Sequence, residues 1–108
     1  MSTTIAEAVN TLSELLQSLE DAYWESSTLD KKDRFYDLIS AVNRELSELA
    51  KLSIQDHHLE YEPVSFEFRR ARAKLMDLRK LMDDCVGRAA TAAKLEDLIT
   101  DVGNLYSH

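Results

Sequence analysis

The chain has one cysteine, one proline and two glycines in 108 residues, and each scarcity removes a class of protein. A lone Cys85 leaves no partner for an intramolecular disulfide, which excludes a disulfide-stapled scaffold and fits a reducing compartment. Pro63, Gly87 and Gly103 are the only strong helix breakers. No uninterrupted apolar run exceeds a few residues, so no membrane span is expected. The start of the chain has neither a positively charged region nor an apolar segment after it. No signal peptide is therefore expected, and the default compartment is the cytoplasm. Positive charge is missing altogether from Met1–Asp30, whose charged residues are Glu7, Glu14, Glu20, Asp21, Glu25 and Asp30.

What is present favours helix. Ala, Leu, Glu, Lys and Arg dominate, and the length suits one domain spanning residues 1–108. Ile5, Ala8, Leu12, Leu15, Leu19 and Ala22 alternate spacings of three and four, with Val9, Leu16 and Tyr23 widening the same face. This predicts an amphipathic helix over Thr4–Glu25, opened by a Thr4/Glu7 capping box. A second helix is expected over Lys31–Leu52, capped by Asp30 or Thr28, with the stripe Phe35, Leu38, Ile39, Val42, Leu46, Leu49 and Leu52. Residues 53–65 read as an irregular linker whose apolar Ile54, Leu59, Tyr61 and Val64 should lie over the core. A third helix is expected over Ser65–Val86, with the stripe Val64, Phe68, Ala71, Leu75, Leu78, Met82 and Cys85. Gly87 ends or kinks it. The tail from Ala89 to Tyr106 keeps the helical period at Ala92, Leu95, Ile99, Val102 and Tyr106, with fraying expected from Gly103 onward. The fold class that follows is all-α: a small antiparallel bundle of three long helices and a shorter C-terminal one.

Charge is unevenly spread. Residues 1–62 carry 13 acids and 5 bases, whereas residues 63–108 carry 7 acids and 8 bases. Arg69, Arg70, Arg72, Lys74, Arg79 and Lys80 are opposed only by Asp77 within their own span. Three uses are open to this basic stretch. The first is pairing with the acidic first helix, within the chain or across a dimer. The second is steering an acidic partner. The third and least favoured is contact with nucleic-acid phosphates, since the net charge of −7 argues against a general nucleic-acid footprint. Phe66, Met76 and Leu81 fall off the third stripe, and Tyr23 and Trp24 end the first helix. With Arg69, Arg72 and Arg79 they form the expected protein-binding set.

No catalytic chemistry is legible. Asp56, His57, His58 and Glu60 lack a third histidine or a cysteine nearby, so no metal or cofactor is expected. Cys85 occupies a stripe position and reads as a buried hydrophobe. The carboxylate pairs Glu20/Asp21 and Asp83/Asp84 fall on expected solvent faces, and no Glu-x-x-His arrangement of di-metal bundles occurs.

Taken as a whole, the Thr4–Glu25, Lys31–Leu52 and Ser65–Val86 helices give a chain that resembles the small acidic helical anti-activators of bacteria, of the QslA quorum-sensing type. The resemblance is one of size and class. It implies a cytoplasmic homodimer that binds a transcriptional regulator, blocks that regulator's own interface and touches no DNA. It assigns no residue. A dimeric cytoplasmic secretion chaperone for an exported protein shares the same character and is the alternative expectation.

Overall fold

Thr4 opens the first helix as the pattern predicts. Its hydroxyl accepts the Glu7 backbone N–H at 3.2 Å, and the Glu7 carboxylate accepts the Thr4 backbone N–H at 3.2 Å. Two donors that a helix start leaves unpaired are thus satisfied reciprocally. The computed structural model describes residues 3–80 and 89–105. Four α-helices run through them: α1 (Ile5–Glu25), α2 (Leu29–Ala50), α3 (Phe66–Lys80) and α4 (Ala89–Leu105), with a 3-10 helix at Ile54–His58. The fold is all-α, and the sole β feature among the described residues is an isolated bridge between Thr4 and Glu60.

The boundaries differ in instructive places. α2 starts two residues earlier than its stripe implies, because the Thr28 hydroxyl accepts the Lys31 N–H at 3.3 Å and leaves Asp30 inside the first turn. It ends at Ala50, so Leu52 is exposed outside the helix. α3 is capped by Ser65, whose hydroxyl accepts the Phe68 N–H at 3.1 Å. Its expected continuation through Leu81, Met82, Cys85 and Val86 lies outside the described residues, as do Gly87 and Tyr106. α4 does not fray at Gly103 but carries that glycine inside it.

Neighbouring helices run antiparallel. Three residues join α1 to α2. The ion pairs Arg44–Glu67 and Lys74–Asp37 fix α3 against α2 in opposite directions. The Thr91 hydroxyl near the start of α4 donates to the Glu25 carboxylate at the end of α1, at 2.9 Å. α1 packs on α2 and α4, and α3 packs on the same two helices. The acidic and the basic helix therefore stand at diagonal corners, and within the chain α3 pairs with α2 in place of the pairing with α1 expected there. The resulting rod measures 43 × 23 × 20 Å.

The stripes become the core. Leu12, Leu15, Leu19, Phe35, Val42, Phe68, Leu75, Leu95, Ile99 and Val102 are all fully buried. Burial of each large apolar side chain contributes about 1.5–3 kcal/mol.

The linker departs from its expected role. Ile54, Leu59 and Val64 are exposed, and only Tyr61 enters the core. Backbone bonding, not apolar burial, holds it down. The Ile5 N–H donates to the Leu59 carbonyl at 2.9 Å, and the Tyr61 N–H donates to the Thr3 carbonyl at 2.7 Å. The Tyr61 hydroxyl donates to the carboxylate of Glu45, a fully buried residue on the inner side of α2. Glu45 also accepts the Val64 N–H at 3.0 Å and the Ser65 N–H at 2.8 Å. A carboxylate at the amino end of α3 meets both the unpaired donors and the positive end of the helix dipole. Glu45 thereby sets where α3 begins and how Phe66 is presented.

Candidate protein-binding surfaces

α2 and α3 leave a groove of about 590 Å³ between them. Ala41 and Ala71 form its floor, because two small residues facing each other withhold the side-chain volume that would fill it. Phe66 stands at its rim with 68% of its surface exposed. The Arg70 guanidinium lies over the Phe66 ring at 5.4 Å from the centroid, a cation–π contact that holds the aromatic upright in water. The Lys74–Asp37 pair, at 3.7 Å, crosses from one wall to the other.

The outer surface of α3 is basic. Arg69, Arg70, Arg72, Lys74 and Arg79 are exposed against Glu67 and Asp77. Arg69 is already engaged: Nε and Nη2 donate to the Pro63 carbonyl at 2.9 and 2.6 Å, tying the linker to the helix. Met76, off the stripe in sequence, is half-buried against the core, and its Cε reaches toward Gly103 of α4. Leu81 lies outside the described residues. The structure thus places Phe66 on the groove with Arg70 and Lys74, leaves the exposed Arg69, Arg72 and Arg79 on the other flank of α3 outside the groove's lining, and turns Met76 partly inward.

Tyr23 and Trp24 lie elsewhere, at the α1–α2 turn. They meet edge to face at 5.2 Å between centroids. Trp24 is 78% exposed, whereas Tyr23 packs partly against the core. Lys32 of α2 binds both rings, at 4.6 Å from the Tyr23 centroid and 5.6 Å from that of Trp24, and donates to the Tyr23 carbonyl at 2.7 Å. α1 has no base in its own last turn, so this lysine supplies the cation that its carbonyl end favours. Sequence reasoning passed over two further exposed side chains, Leu29 (73%) and Tyr36 (61%). Their signal was available: both fall on the face of α2 opposite its stripe.

Among the described residues no group of three or more His, Cys, Asp or Glu side chains converges as a metal site. No described helix is long and apolar enough to cross a membrane. Fold and surface together define a small all-α bundle with an aromatic-rimmed groove beside a basic helix. Comparison with protein-family models, curated proteins and solved structures finds no match to this chain.

Proposed function

We propose that this chain is a non-catalytic protein-binding regulator that captures an acidic partner surface on its α2–α3 face. The observation that carries the reading is Phe66, exposed at the rim of the α2–α3 groove with the Arg70 guanidinium over its ring and Lys74 on the same wall. An aromatic anchor beside a small-residue floor suits an apolar side chain of a partner helix laid into the groove. The groove's own charges balance, Asp37 and Glu67 against Arg70 and Lys74, and the exposed Arg69, Arg72 and Arg79 on the other flank of α3 favour a partner whose acidic residues reach beyond the groove. The resemblance to QslA-type anti-activators makes a transcriptional regulator the partner class, sequestered by occlusion of its own interface in the cytoplasm.

The test is affinity capture from native lysate at low and high salt, with wild type and Phe66→Asp. Wild type is expected to retain a folded regulator at low salt and to lose much of it at high salt. Phe66→Asp is expected to lose it at both while circular dichroism stays helical, since Phe66 is a surface residue. Recovery of an exported protein instead would assign the secretion-chaperone function. Recovery of the bait alone would remove the reading.

A further inference from the structure

The outward face of α2 is not covered by the bundle. Leu29, Asp33, Tyr36, Ser40, Asn43 and Ser47 follow one another at spacings of four, three, four, three and four, and all six are exposed. That is the spacing of a helical seam, drawn on the wrong side of the helix for its own core. The seam is asymmetric along its length. Its amino half carries the large Leu29 and Tyr36 and the acid Asp33, while its carboxyl half carries the small Ser40 and Ser47 and, beside Asn43, the exposed base Arg44.

We infer that this face binds a second copy of the chain, with the two α2 helices antiparallel about a twofold axis near the level of Leu38. In that register Leu29 lies over Ser47 of the second copy, Tyr36 lies over its Ser40, and Asp33 meets its Asn43 and Arg44. Each of these contacts occurs twice, as an isologous interface requires. Large residues meet small ones and acid meets base, so the face is complementary to itself in the antiparallel sense and to no shift of it by a few residues. α1 and α3 offer no such closed solution. They stand at diagonal corners, so pairing the acidic helix of one copy with the basic helix of another is head-to-tail and cannot occur twice in one twofold dimer.

The size of the seam sets the character of the dimer. A helix of 22 residues presents a strip about 33 Å long and about 10–12 Å wide. That is roughly half of the about 800 Å² per partner typical of a stable interface. Trp24 extends the strip at one end, since Lys32 ties it to α2. The association is therefore reversible and concentration-dependent, and it leaves the basic face of α3 uncovered. Ser40 also lines the α2–α3 groove, so the seam borders the partner-capture surface, and the two readings are separated by their tests: association of the chain alone here, capture from lysate there.

Sedimentation equilibrium over two decades of concentration, up to the millimolar range, tests it. Wild type is expected to shift from monomer to dimer. Asp33→Arg and Arg44→Asp, each placing like charges together across the axis, are expected to remain monomeric. The double variant D33R/R44D re-forms both pairs and is expected to regain the dimer. Arg44 also pairs within the chain with Glu48 at 3.3 Å and Glu67 at 3.9 Å, and loss of those contacts would not be repaired by the second change. Ser47→Trp, at an exposed position outside the α2–α3 groove, fills the space needed by Leu29 of the second copy and gives a monomer without changing any charge. Thermal melts of each variant confirm that the bundle is intact. A wild type that stays monomeric throughout, a dimer indifferent to the single changes, or a double variant that fails to recover would each overturn the inference.

Discussion

Glu45 is the residue on which the linker depends. It sits at a stripe position, three residues after Val42 and four before Leu49, where every regularity of α2 calls for an apolar side chain. Its burial is tolerated because the Tyr61 hydroxyl and two backbone N–H groups surround the carboxylate. Removing a partner is costly, since a buried group left unsatisfied loses more than the bond was worth. Tyr61→Phe is expected to lower stability by about 1.5–3 kcal/mol, the range for a hydrogen bond to a charged group. Glu45→Ala, which orphans all three donors, is expected to cost more than Tyr61→Phe. Urea denaturation read at the midpoint, with unchanged slope, checks both. The charge at a stripe position was visible in the sequence. Its partners, 16 to 20 residues further on, were not, because periodicity reports which side of a helix is inward and says nothing of what waits there.

At the scale of elements, the apolar period was a faithful guide. The stripes of Leu12, Leu15 and Leu19 and of Leu95, Ile99 and Val102 are buried as spaced. Trp24 shows the same geometry from the other side: two positions past the buried Ala22, it is turned about 200° around the helix and faces water. The period failed where helix ended and hydrogen bonding took over, at Leu52, Ile54 and Val64, all apolar and all exposed. It was also silent on Gly103, read as a fraying point and found where α4 approaches α3. A Cβ built there would meet Met76 Cε at 3.2 Å. That atom is the free end of a flexible side chain, so it can yield by a few tenths of an ångström. Gly103→Ala is therefore expected to raise stability by up to about 1 kcal/mol through helix propensity. Gly103→Leu, whose branched side chain must displace the whole of Met76, is expected to lower it. Thermal melts of the two variants, opposite in sign, check the close approach. A loss in both would mean that the helices cannot part even slightly.

For the whole molecule, the diagonal placement of acidic α1 and basic α3 means that the most strongly charged helices do little to hold the bundle together. Two pairs that cross between the described helices, Lys74–Asp37 at 3.7 Å and Arg44–Glu67 at 3.9 Å, join side chains that are each more than half exposed. Exposed pairs of this kind are worth about 0–1 kcal/mol. Raising the ionic strength into the molar range with a weakly interacting salt is expected to change unfolding stability by less than about 1 kcal/mol. Capture of an acidic partner by the same cations should weaken markedly over that range. Denaturation curves and binding isotherms collected in the same salt series would separate the two. A large loss of stability with salt would show that surface pairs carry the fold after all.

The hold of the linker on the first residues of α1 has a consequence in time. The α1–α2 hairpin closes across three residues, so its contacts are local and cheap in chain entropy. The bond from the Tyr61 N–H to the Thr3 carbonyl closes a loop of nearly sixty residues, and the Glu45 contacts add to it only once α2 is in place. Such a latch is expected to form after the rate-limiting barrier, with little of its energy present in the transition state. Tyr61→Phe leaves that backbone bond in place and removes the hydroxyl bond to Glu45 that holds Tyr61 in the latch, so its cost should appear mainly as faster unfolding, with the refolding rate little changed. In stopped-flow traces the unfolding arm of the chevron would rise while the folding arm stayed where it was. The residues that stitch the beginning of the chain to its middle would set how long the native bundle lasts, rather than how quickly it is made.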